Sequence, residues 1–305
     1  MVGPVNVYLI RGESLTLVDA GPKTKEAWES FIQQLNEIGY GPEDIEQIVI
    51  THHHPDHIGM LDYFNGKPTI IGHEKNIPWM SKNQEFLART VEFYSEFYQQ
   101  HGISQQNILK LQRVLAGYLD FSCYQQLDKI VKTGDSIDGL DGWQVIEVPG
   151  HAQTHIMLVH NESSTVIAGD HLLANVSSNA LIEAPYEANE ERPKTLLQYR
   201  ESLHKLRDIQ PTLILSGHGP SIHNGINVIQ KRLEEQEKRA HHILSLLNEG
   251  RKNTVELCEI LFPSIYKKQL DLTISEVVGH LDLLEMYEKV NVVIEKNQFF
   301  YTAKK

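Results

Sequence analysis

Thr51-His52-His53-His54-Pro55-Asp56-His57 follows the apolar positions Ile45, Ile48, Val49 and Ile50. An apolar, β-branched run that ends abruptly in ionisable residues predicts a buried strand whose C-terminal end opens into a site. His52 and His54 alternate, so on an extended backbone both imidazoles point the same way. Pro55 cannot extend a ladder and biases His54 towards extended geometry, so the chain turns there. Asp56 and His57 open the next element and can face the same pocket from another side. Four candidate ligands, His52, His54, Asp56 and His57, thus fall within six residues. A carboxylate among imidazoles suits zinc, manganese or iron better than calcium or copper(I). The plain alternative is a solvated histidine-rich turn, against which the buried strand leading into it argues.

This motif resembles that of the metallo-β-lactamase superfamily of dinuclear metallohydrolases. The resemblance covers roughly residues 1–225 and implies three further ligand positions, each with a candidate in order. These are His151 in Val148-Pro149-Gly150-His151, Asp170 in Ala168-Gly169-Asp170-His171, and His218 in Ser216-Gly217-His218-Gly219-Pro220. Each follows a strand-like apolar run, so four strands would deliver ligands to one end of the sheets. The implied fold is α+β, a four-layer αβ/βα sandwich. The implied cofactors are two divalent transition-metal ions: zinc first, with manganese or iron as alternatives. By the same analogy His52, His54 and His151 hold one ion, Asp56, His57 and His218 the other, and Asp170 bridges. Asp19 resembles the family's aspartate that orients a metal-binding histidine, a turn-forming Asp before Gly21 being the alternative. The family often has Gly-His-Thr-Pro-Gly-His where this chain has Gly150-His151-Ala152-Gln153-Thr154-His155. The two histidines keep their spacing, and the loop between them differs.

At 305 residues the chain can hold one large domain, or a core with an appendage. No apolar run approaches the roughly 18 residues of a membrane helix, and the N-terminus leads straight into a strand-like segment without a signal-peptide pattern. The two cysteines, Cys123 and Cys258, are far apart, which disfavours a disulfide framework and suggests a reducing cytoplasm. The net charge is −12, and from Ile226 onward there are twelve charges of each sign, so the acidic excess lies in residues 1–225. Such a surface repels polyanions, making nucleic acid a weaker candidate partner than a small molecule.

Taken in order, Val5–Ile10 and Leu15–Asp19 read as a hairpin, and Lys23–Ile38 as a helix. Residues from about 75 to 132 read as an aromatic-rich helical insertion, with Trp79, Phe86, Phe93 and Phe97 among its apolar positions. In the family such inserts commonly cover the metal cleft, and an aromatic cover favours an acyl group over a bare sugar-phosphate. Lys132–Ile137 and Trp143–Val148 read as a strand pair, Leu172–Arg192 as a substrate loop or plain surface loop, and Thr195–Asp208 as an amphipathic helix. From residue 226 to 305 the pattern becomes a long helix, a helix capped by Thr254, and a helix Ile274–Glu285 opened by the capping box Thr273-Ile274-Ser275-Glu276. A hairpin, Val290–Ile294 with Phe299–Thr302, completes a winged-helix-like domain. This order is similar to the lactamase-β-like 2 branch of the family. Yet the helix Ile274–Glu285 has no Lys or Arg, so it cannot track phosphates, and a packing or homodimerisation role is expected instead.

Two neighbouring metal ions lower the pKa of shared water towards about 7, which supplies a hydroxide nucleophile without Ser or Cys. The sequence shows no Gly-x-Ser-x-Gly elbow and no Gly-rich phosphate loop. Asp56 is expected to hold the nucleophile in line, and His155 to act as an orienting or proton-transfer group. The favoured reading is a cytoplasmic metal-dependent hydrolase of small esters, thioesters or lactones. A ribonuclease or phosphodiesterase and a non-catalytic ligand sensor are the alternatives, the sensor being disfavoured by the complete ligand set.

Overall fold

The computed structural model describes residues 3–65 and 68–304. The first sheet runs in the order β1 (Tyr8–Arg11), β2 (Leu15–Val18), β3 (Gln47–Val49), β4 (Thr69–Gly72) and β5 (Lys129–Ile130). Its first pair is antiparallel and the remaining pairs are parallel. The second sheet holds β6 (Trp143–Glu147), β7 (Ile156–His160), β8 (Thr165–Gly169) and β9 (Leu213–Ser216), antiparallel except for the last pair. Parallel neighbours require crossovers. These carry α1 (Lys25–Glu37) and α2 (Pro55–Ile58), then the insertion α3 (Ile77–Met80), α4 (Gln84–Gln100) and α5 (Gln105–Asp120), and lastly α6 (Thr195–Asp208). The chain ends with α7 (Gly225–Asn248), α8 (Thr254–Leu261), α9 (Leu270–Met286) and a hairpin of β10 (Val290–Glu295) and β11 (Gln298–Ala303).

Period-two alternation decides the layers. Val18, Val49 and Ile71 face the second sheet's Val145, Ile156, Leu158 and Ile167 across the centre. Their neighbours Leu17, Ile48 and Ile70 turn the other way, onto Phe31 and Leu35 of α1. On the far side Met157, Val159, Val166 and Ile214 meet Leu196, Tyr199, Leu203 and Leu206 of α6. The result is the α+β sandwich of four layers, αβ/βα, with the strand ends that carry ionisable residues gathered at one edge.

Ile274, Val277, Val278, Leu281 and Leu284 of α9 belong to the same buried cluster as α6 and the second sheet, so one core runs from the sandwich into the C-terminal helices. Among the described residues no helix is long and apolar enough to cross a membrane.

Three local readings need correction. The pairing expected for Lys132–Ile137 shrinks to a single bridge, Ser136 with Gln144, because the chain turns at Gly134 and Asp135 takes the Lys132 N–H at 2.9 Å. α8 is capped by Asn253, whose side chain accepts from Glu256 N, and not by Thr254. The Thr273–Glu276 motif lies inside α9, which starts at Leu270. Thr273 Oγ1 donates back to the Gln269 carbonyl at 3.0 Å, and Ser275 is committed to a loop. Buried hydroxyls with other partners are not free to cap.

Candidate metal centre

The end of β3 and the start of α2 place the first group. Beyond Val49 the chain stays extended, and His54 is still in extended geometry before Pro55 opens the helix. His52 Nε2 and His151 Nε2 each lie 3.0 Å from His54 Nδ1. His151 follows Gly150, whose φ of +138° and contact with the Tyr199 backbone exclude any side chain there. Asp56, His57 and His218 form a second group, with His218 Nε2 3.3 Å from Asp56 Oδ2. Asp170 stands between the two groups. Its Oδ1 is 3.5 Å from His57 Nε2, and its Oδ2 is 3.7 Å from His151 Nε2 and 3.4 Å from His218 Nε2. All seven residues singled out from the sequence are thus brought together.

Four of the rings are oriented by partners on their Nδ1 side. Asp19 accepts from His57 Nδ1 at 2.8 Å and from the Thr51 hydroxyl and N–H, each at 2.8 Å. Thr51 Oγ1, having given its proton to Asp19, accepts from His52 Nδ1 at 3.0 Å. The Asn179 carbonyl accepts from His151 Nδ1 at 2.8 Å, with Ser178 Oγ also 3.0 Å away. The Pro4 carbonyl accepts from His218 Nδ1 at 3.0 Å. With Nδ1 so engaged, each ring turns Nε2 inward, and in the neutral imidazole that atom offers a lone pair.

Those inward atoms test whether the residues suit a metal. His57 Nε2, His218 Nε2 and Asp170 Oδ1 are buried without any hydrogen-bond partner. Two Nε2 lone pairs converge on one His54 nitrogen, which can offer at most one proton. The separations of 3.0 Å are close to the ~3.3 Å set by a tetrahedral ion with bonds of about 2.0–2.1 Å. The donor set of imidazoles and carboxylates is the one borderline divalent ions take. The electrostatics agree. Burial, with mutual repulsion among the rings, holds His52 and His54 well below the usual imidazole range. Burial also opposes charge on His57 and His218, yet Asp170 and Asp19 hold His57 well above that range, and Asp170 with Asp56 push His218 up to about 10. The pocket calls for positive charge at its centre.

His155 is not placed for proton transfer to a leaving group. It is 1% exposed, its ring stacks on His52 at 4.7 Å, and its Nε2 accepts the Asp170 N–H at 3.2 Å. Burial holds it neutral, and it stands behind the cluster against His52 and Asp170.

Several contacts that shape the site could not be read from the sequence. Trp79 of the insertion stacks on His53 at 4.3 Å and 14°, which gives that histidine a wall-forming role. The Phe121 carbonyl at the end of α5 takes the Lys23 N–H at 3.3 Å beside Gly59, just past α2. Glu183, in the loop after Asp170, accepts the Gln153 N–H at 2.8 Å with its Oε1, while its buried Oε2 has no partner. These contacts cross 26 to 98 positions of sequence or lie in loops, where local pattern is silent.

Comparison with known proteins adds independent support. The metallo-beta-lactamase superfamily profile matches residues 1–218. The chain is 41% identical over 304 residues to the "Probable metallo-hydrolase YqjP" of Bacillus subtilis (strain 168), covering 100% of this chain and 95% of that protein. A Caenorhabditis elegans "Beta-lactamase-like protein 2 homolog" is 24% identical over 82% of this chain and 67% of its own length. Among solved structures, a metallo-beta-lactamase family protein from Thermus thermophilus, TTHA1429, superposes with a TM-score of 0.81 at 25% identity, covering 98% of this chain and 94% of that one.

Proposed function

This chain belongs to the metallo-beta-lactamase superfamily and is a metal-dependent hydrolase, and we propose that it uses two divalent ions, zinc in the first instance, to hydrolyse small esters, thioesters or lactones in the cytoplasm. His52, His54 and His151 would hold one ion, Asp56, His57 and His218 the other, with Asp170 shared. Bound there, the ions supply Lewis-acid polarisation and make hydroxide available near neutral pH. The chain's own residues do the rest. Asp19, Thr51, Asn179 and Pro4 fix the imidazole tautomers. Asp56, whose side chain is 44% exposed, accepts a hydrogen bond from entering water and orients it.

The observation that carries the substrate class is the Trp79–His53 stack, which seats an aromatic insertion directly beside the ligands. An apolar wall there favours an acyl group over a sugar-phosphate. Nucleic acid is disfavoured by the state of α9, which is buried on nearly every side and pairs Asp282 with Arg192, so it presents no basic face to a groove. The free, buried Cys123 and Cys258 suit a reducing compartment.

A panel of thioester, ester, lactone, phosphodiester and single-stranded RNA under one metal condition tests this reading. Metal-dependent turnover of an ester, thioester or lactone is expected. RNA cleavage that survives moderate salt, with no ester-type turnover, would overturn it.

A further inference from the structure

The loop between Asp170 and α6 carries the two groups that hold His151, Ser178 and the Asn179 carbonyl. A loop cannot fix a ring to a few tenths of an ångström unless its own backbone is fixed. Here the fixing comes from the C-terminal helices. Arg232 of α7 is 6% exposed, and its Nη2 donates to the carbonyls of Leu173 and Ala174 at 3.3 Å and of Val176 at 2.9 Å. Its other terminal nitrogen donates to Glu235 at 2.9 Å, which holds the guanidinium from its second arm. On the other side of Asn179, Ser275 of α9 accepts the Ile182 N–H at 3.1 Å. The stretch from Val176 to Ile182 is therefore pinned at both ends by residues more than 50 positions downstream.

We propose that Arg232 and Ser275 are positioning residues for the metal centre: through the loop they set the orientation and tautomer of His151, making α7 and α9 part of the machinery that holds the ion of the His52–His54–His151 group. This rests on the proposed two-ion reading and deepens it by assigning a role to the C-terminal segment. The ordinary alternative is that both residues only pack the core.

The test is metal titration of the full-length chain with cobalt(II), reading the ligand-field absorption, alongside thermal melting. The variants are Arg232→Met, which keeps the bulk and removes the donors, Arg232→Lys, and Ser275→Ala. Loss of groups that orient a ligand typically costs about 10- to 100-fold in metal affinity. Expected is a loss of that size for one of two cobalt ions in Arg232→Met, a smaller loss in Ser275→Ala, partial recovery in Arg232→Lys, and an unchanged second ion. Two unaltered affinities in folded variants would overturn the proposal, as would equal weakening of both ions that follows the drop in melting temperature. If Arg232→Met does not fold, Ser275→Ala decides alone. The readout needs no substrate, so failure of the substrate panel leaves it intact, whereas wild type binding no cobalt would remove the two-ion reading itself.

Discussion

Glu183 shows how one buried atom becomes measurable. Burial pushes its carboxyl up to about 7, with only the Gln153 N–H working against it by hydrogen bonding. A raised carboxyl pKa means the folded state holds its proton more tightly than the unfolded chain, so stability falls as pH climbs from the ordinary carboxylate range through about 7. Glu183→Gln keeps the acceptor for Gln153 and removes the titration. Between about pH 5 and pH 8 the variant should gain roughly 2 kcal/mol relative to the parent, measured by denaturant unfolding at both pH values. A constant difference across that range would show that the carboxyl does not titrate there. At this scale the sequence was legible where ligands cluster at strand ends, as in His52 to His57. It was silent on which nitrogen of His151 and His218 faces inward, because Asn179 and Pro4 reach those rings from distant segments. Of the two roles expected for His155, orienting or proton transfer, its buried place behind His52 fits the first, a distinction that spacing alone does not reveal.

Among the elements, the insertion is fastened at both ends beside the metal centre, by Trp79 on His53 and by Phe121 against Gly59. A Cβ at Gly59 would stand 2.5 Å from the Phe121 carbonyl oxygen and would also collide with the backbone of Lys23. Neither neighbour is the tip of a flexible side chain. Gly59→Ala should therefore cost about 1–3 kcal/mol and displace the end of α5. Thermal melting and protease sensitivity around residue 121 check this, and an unchanged melting point would mean the contact is loose. Helices with strong periodicity were readable in advance. The strand at Lys132–Ile137 was not, since its apolar alternation is interrupted by a turn that Gly134 and Asp135 form locally. The capping box at Thr273 misled because its hydroxyls are used by burial and by the loop.

For the whole molecule, the sandwich could be inferred from four short motifs in order, but the division at residue 225 describes topology better than stability. Leu196, Tyr199 and Leu203 of α6 share one core with Ile274, Val277 and Leu281 of α9. Deleting residues 226–305 should expose that face and leave a chain that aggregates or lacks cooperative unfolding, monitored by size exclusion and calorimetry. A monomeric, cooperatively folding fragment would restore the picture of two separable units. The central proposal is that two ions sit among seven side chains. Elemental analysis of the full-length protein after reconstitution tests it most directly, with Asp170→Ala beside it, since Asp170 is the carboxylate both groups share. The account predicts close to two transition-metal ions per wild-type chain and loss of one or both in the variant. A wild-type protein that takes up no transition metal, or a variant that keeps both ions, would contradict it.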